Sequence, residues 1–175
     1  AKKYMLRSNK YFYLSGWIGV SDIKKLEEIV KFLNDNTRFL ETKNFIQHGD
    51  TSVYSHVISV AKKSIEVAEK YDLDVDMDSM IRGALLHDYF LYDWHDGKKE
   101  RWNHGFTHPM KAYLNAKSEL RLNKVERDII VKHMFPLTPL PPRYLESWIV
   151  TYSDKYVSLA ETLRGIPVKV GLVRP

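Results

Sequence analysis

Seven histidines and no cysteine bound the chemistry open to this chain of 175 residues. Without thiols there can be no disulfide, no thiolate nucleophile and no sulfur-ligated zinc. A metal ion would have to be held by nitrogen and oxygen, a donor set that suits Fe, Mn, Ni, Co, Zn or Mg. The side chains able to supply those donors are His56, the adjacent pair His87-Asp88, His104, His108, His133 and Asp154. Each also has a bland alternative. A single histidine on an apolar helix face is usually a hydrogen-bonded core residue, and a mid-helix aspartate usually faces solvent or a salt-bridge partner. His108 reads equally as a structural residue at a helix start, and His133 as a cation near a helix C-terminus, where the dipole favours it.

The elements that must position these residues are helical. Ile23, Leu26, Ile29, Val30 and Leu33 recur at three- and four-residue steps after Ser21 or Asp22, either of which serves as an N-cap, and Asn34-Asp35-Asn36 ends the pattern. A second helix begins at Asp50 or Thr51 and runs to about Tyr71, with Val53, Val57, Val60, Ala61, Ile65 and Ala68 on its apolar stripe and His56 among them. Asp78 caps a third, which passes through Ile81, Ala84 and Leu85 to His87 and Asp88. The polar run 93–103 reads as a loop. Pro109 suits the first turn of a fourth helix ending near residue 120. A fifth spans Asn123 to His133 with Val125, Ile129, Ile130 and Met134 inward, and four prolines between Phe135 and Arg143 stop it. The last helix, about 143–163, carries Leu145, Ile149, Tyr152, Tyr156 and Leu159, with Asp154 in its middle.

This reading gives a single all-α helical domain over 21–164. It is preceded by an aromatic-rich arm at 1–20, expected to pack on the core without helical period, and followed by an extended tail at 165–175. An ionised aspartate on a buried helix face is costly unless a cation or full hydrogen bonding compensates it. Asp88 and Asp154 would meet that condition beside a metal.

The order His56, His87-Asp88, Asp154 resembles the HD superfamily of metal-dependent phosphohydrolases, named for its His-Asp doublet. The contexts Ser55-His56-Val57, Gly83-Ala84-Leu85-Leu86-His87-Asp88 and Ser153-Asp154-Lys155 are similar as well, over residues 48 to 163. The resemblance implies a helical bundle of the HD-domain type, with His56, His87, Asp88 and Asp154 as primary metal ligands and Asp88 able to bridge to a second ion. His108 and His133 lie in the interval where two-metal members place two more histidines, so one or two divalent ions are expected, with two favoured. It further implies hydrolysis of a phosphate ester, of a nucleotide or a related small phosphorylated metabolite, with Asp88 catalytic. Some similar proteins use a di-iron site for oxygenation instead, and a non-catalytic helical ligand-binding module is a third reading.

Further site candidates are His104, as a proton donor to the leaving group or a neighbour of the ligands, and Lys155 and Arg143 as phosphate contacts. His48 and His95 are expected not to be ligands. Lys98, Lys99 and Arg101 could line the pocket mouth or simply face solvent. The formal charge of +5 and pI near 9.2 fit an anionic substrate. No recognition motif or basic tract with interleaved aromatics accompanies them, so nucleic acid is not an expected partner. No run of roughly 18 apolar residues and no leader pattern is visible, and the expected location is cytoplasmic.

Overall fold

The computed structural model describes residues 10–13, 16–48, 50–93 and 103–164. Strands β1 (Lys10–Tyr13) and β2 (Gly16–Gly19) pair antiparallel, and helix α1 (Val20–Asn36) follows directly. A 3-10 helix (Arg38–Asn44) leads to a second antiparallel pair, β3 (Ile46–His48) and β4 (Thr51–Ser52). The rest is helical: α2 (Val53–Lys70), α3 (Met77–Leu86), α4 (His104–Glu119), α5 (Lys124–Lys132) and α6 (Leu145–Arg164). The all-α class read from the sequence is observed; the β1–β2 strand pair stands where no regular element was expected. No described helix is long and apolar enough to cross a membrane.

Helix α2 is the axis of the bundle, packed most closely on α3 and α6 and also touching α1 and the 3-10 helix. Its stripe Val53, Val57, Val60, Ala61, Ile65 and Ala68 is fully buried. Each large aliphatic side chain so buried contributes about 1.5–3 kcal/mol. Contacts at both ends fix the helix directions. Asn34 Nδ2 donates to Tyr54 Oη at 3.3 Å while Gly19 N–H donates to Glu69 Oε1 at 2.6 Å, so α1 and α2 run antiparallel. His56 meets Glu161 and Lys63 stacks over Tyr156 at 4.4 Å, so α6 is antiparallel to α2 as well.

Several sequence expectations shift for identifiable reasons. The N-cap of α1 is Gly19, with no side-chain capping bond, and Asp22 lies inside the first turn. The caps of α2 and α3 are Ser52 and Asp76, each accepting from the N–H three residues on, so Asp78 is inside α3. Helix α4 starts at His104, well before Pro109. Pro109 removes the donor for the Gly105 carbonyl, but His104 and His108 lie one turn apart and both are buried, and that packing outweighs the missing bond. Asn123 caps α5 in a full capping box with Glu126, as its sequence position suggested.

Helix α6 buries only part of the apolar set read from its sequence. Ile149, Val150, Ser153, Asp154 and Val157 are buried, whereas Leu145, Tyr152, Tyr156 and Leu159 are 45–61% exposed. Tyr152 and Tyr156 each sit about 160° from Asp154 around the helix, so they cannot face inward with it. The expected tail 165–175 and the residues His95, Lys98, Lys99 and Arg101 lie outside the described residues, as does the side chain of His48.

Candidate metal centre

The cluster is built mostly from helix ends. His87 is the C-cap of α3 and Asp88 follows it in the turn, rather than lying inside a helix as the sequence suggested. His133 is the C-cap of α5. The last carbonyls of a helix have no partner within it, and here they hold the rings: His87 Nδ1–H donates to Ala84 O at 2.7 Å and His133 Nδ1–H to Ile130 O at 2.9 Å. His108, in the first turns of α4, donates from Nδ1 to His104 O at 2.9 Å. A carbonyl only accepts, so the proton of each ring is placed on Nδ1 and Nε2 is left to face the cluster. His56 comes from within α2 and Asp154 from mid-α6.

All six side chains expected to be ligands are 5% exposed or less and converge on one point. Asp88 lies in the middle. Its Oδ2 is 3.3 Å from His87 Nε2 and 3.7 Å from His56 Nε2, while its Oδ1 is 3.1 Å from His108 Nε2 and 3.5 Å from His133 Nε2. Asp154 Oδ1 closes the first group, 3.2 Å from His56 Nε2 and 3.6 Å from His87 Nε2. Two sets of donor atoms lie close enough to share an ion, His56 with His87 and Asp154, and His87 with Asp88 and His133.

Three observations fit a cation there. His108 Nε2 and His133 Nε2 face each other at 2.8 Å, although both rings carry their proton on the far nitrogen. Two imidazole lone pairs at that distance repel unless a positive charge joins them. His87 Nε2 and Asp88 Oδ1 are buried and have no hydrogen-bond partner, a cost that a bound cation would relieve. The carboxyl-terminal ends of α3 and α5 also direct partial negative charge at the same place.

Titration follows the same balance. Burial would lower the His56 pKa, but hydrogen bonds to Asp154 and Glu161 outweigh it and raise it to about 9. Burial likewise opposes protonation of His87, and the neighbouring Asp88 and Asp154 raise it to about 10. Burial would raise Asp88 and Asp154, yet the histidines hold both well below the usual carboxylate range. His133 is pushed well down, by burial and then by the charge on His87. The site keeps its carboxylates ionised and draws positive charge to them.

The sequence profile of the HD domain matches residues 53–159, which includes every residue of this cluster. The chain belongs to the HD domain family. No curated protein and no solved structure matches it. Membership carries a general expectation of metal-dependent phosphohydrolase chemistry, and the donor set of this HD domain is compatible with divalent ions.

The remaining candidates take different places around the HD domain's cluster. His104 stacks on His108 with ring centroids 4.6 Å apart, and its Nδ1 is 2.9 Å from Tyr92 Oη. It is a neighbour of His108 at the edge of the cluster. Lys155 Nζ bonds Asp154 Oδ2 at 2.8 Å and His133 O at 3.0 Å, joining the two halves of the centre from its rim. Arg143 is engaged through its backbone N–H, which donates to Asp128 Oδ2 at 2.7 Å. No contact joins its side chain to the cluster among the described residues, so the phosphate role read for Arg143 has no geometric support. A cavity of about 360 Å³ between α1 and α2, lined by Ile23, Leu26, Val30, Ile58 and Ile65, contains none of the cluster.

Two residues that the sequence did not single out, the buried Gln47 and the half-buried Glu161, touch the cluster. Gln47 on β3 donates from Nε2 to Asp88 Oδ2 at 2.6 Å. Glu161 accepts from His56 Nδ1 at 2.8 Å. Glu161 stands two turns after Asp154 on α6, a spacing that places both on one face and could have marked it. Gln47 lies in a short irregular stretch with no periodicity to read.

Proposed function

We propose that this HD domain hydrolyses a phosphate ester of a small metabolite, with nucleotides as the first substrate class. The observation that supports this most directly is the Asp88 carboxylate, which offers one oxygen to His56 and His87 and the other to His108 and His133. A carboxylate so placed suits sharing between two cations. His56, His87, Asp154 and Asp88 Oδ2 would hold one ion, and Asp88 Oδ1, His108 and His133 the other, with His87 Nε2 within reach of the donor atoms of both. Metal bound there supplies a water of lowered pKa and neutralises charge on phosphoryl oxygens.

The chain's own groups complete the chemistry. Asp88 and Asp154 stay ionised because the imidazoles and Lys155 face them, so they remain ligands at neutral pH. Lys155, whose side chain is 43% exposed, keeps its ammonium at the rim, where an incoming phosphate would meet it. His104 and Tyr92 form a hydrogen-bonded pair beside His108, and we assign His104 the proton that the leaving group needs.

The test is phosphate release from a panel of nucleotides and phosphomonoesters by protein loaded with Mn²⁺, beside Asp88→Asn. Turnover of at least one substrate that requires metal and is lost in the variant is the expected result. A fully metal-loaded protein inert across the panel, or equal turnover by Asp88→Asn, would overturn the proposal.

A further inference from the structure

His56 differs from the other three histidines of the cluster in what holds its distal nitrogen. His87, His108 and His133 donate to the backbone carbonyls of Ala84, His104 and Ile130. His56 lies inside α2, and its Nδ1–H goes instead to a carboxylate. That carboxylate, Glu161, is 9% exposed and comes from the helix that also supplies Asp154. The ring is clamped between two acidic groups two turns apart on α6, Asp154 Oδ1 at 3.2 Å on Nε2 and Glu161 Oε2 at 2.8 Å on Nδ1.

We infer that Glu161 is a positioning residue that makes the two metal half-sites unequal, strengthening the one at His56. This rests on the metal-centre reading above. A carboxylate on the far side of a ligating imidazole fixes the tautomer and ring orientation and makes the ring a better donor, more strongly than a neutral carbonyl does. The half-site at His56 therefore combines four donors, two of them carboxylate oxygens, with a third acidic group behind the ring. The half-site at His108 and His133 has one carboxylate oxygen and rings held only by carbonyls. The first fills before the second, and Glu161 sets how far apart the two affinities lie.

The experiment is competition between the protein and a chromophoric chelator for Mn²⁺, with wild type, Glu161→Gln and Glu161→Ala compared, each also in a His133→Ala background. In that background one ion remains, at the His56 half-site, so the effect is read on a single binding event. Glu161→Ala is expected to weaken that event about 10- to 100-fold, and Glu161→Gln, which keeps an uncharged acceptor, by less. In the two-site protein the weaker ion is expected to keep its affinity. Equal unfolding midpoints without metal show that the loss is not one of folding; if Glu161→Ala does not fold, Glu161→Gln carries the comparison. Unchanged affinity in both variants overturns the role of Glu161 and leaves the centre standing. A wild type that takes up no Mn²⁺ overturns both.

Discussion

Gln47 Nε2 donates to Asp88 Oδ2 over 2.6 Å, tying a three-residue strand to the carboxylate at the middle of the histidine cluster. Gln47 is 7% exposed, and its own Oε1 has no hydrogen-bond partner. An unsatisfied buried amide oxygen costs about 1–3 kcal/mol, so its retention points to a task at the site. Gln47→Leu removes the donor from the carboxylate shared by both halves. The expected result is weaker binding of both ions, about 10-fold or more, without loss of helical circular dichroism. Titration with Mn²⁺ checks it, and a change confined to one ion would show that Gln47 does not act through the shared carboxylate.

The central and peripheral histidines predict different stoichiometries. His87 belongs to both sets of donor atoms, whereas His133 belongs to one. Elemental analysis of protein purified without chelator is expected to find about two equivalents of metal in the wild type, near zero in His87→Ala and about one in His133→Ala. Equal metal content in the two variants would contradict the assignment of His133 to one half alone.

How much of this was legible beforehand depended on which signal each residue carried. Helical periods located α1, α2, α3 and α5 because aliphatic side chains recur on each at helical spacing, most regularly on α2, where Val53, Val57, Val60, Ala61, Ile65 and Ala68 are all buried. Helix α6 misled because it carries apolar side chains on two faces. Leu145, Tyr152, Tyr156 and Leu159 stand out in the sequence but are exposed, while the inward face is Ile149, Val150, Ser153, Asp154 and Val157. At 3.6 residues per turn Tyr152 and Tyr156 lie opposite Asp154, so the aromatic stripe and Asp154 cannot share the inward face. The two-turn spacing from Asp154 to Glu161 marks the face that meets His56. Gln47 was not readable, because its position depends on a strand pair of two and three residues that no local pattern announces.

Gly83 shows that the packing beneath the His-Asp doublet is close. A Cβ placed on Gly83 in α3 would come within 2.5 Å of Ile129 Cδ1 and 3.0 Å of Ile129 Cβ on α5. In an exposed helix, alanine in place of glycine gains about 0.5–1 kcal/mol. Here the overlap works against that gain, since overpacking a buried contact costs about 1–3 kcal/mol. Gly83→Ala is expected to be net destabilising in urea unfolding and to disturb the end of α3 that carries His87. A more stable Gly83→Ala variant would mean that α3 and α5 can shift apart at this contact.

The N-terminus of α3 gives a pH-dependent test. Asp76 Oδ1 accepts from Ser79 N–H at 3.1 Å and Oδ2 from Ser79 Oγ at 2.6 Å, and these bonds hold its carboxyl below the ordinary value. A group depressed in the folded state stabilises it fully above the unfolded pKa of about 3.9, and the contribution fades as pH falls through the folded value. Asp76→Ala is therefore expected to cost about 1 kcal/mol at pH 7, the usual worth of a helix N-cap. The gap between wild type and variant should narrow below pH 4. Other carboxylates titrate in both proteins, so it is the difference between their urea midpoints at pH 7, 5 and 3 that isolates Asp76. Asp76→Asn keeps an oxygen for Ser79 N–H and is expected to fall between them at pH 7. A wild type to Asp76→Ala gap that stays constant down to pH 3 would mean that Asp76 caps α3 without help from its charge.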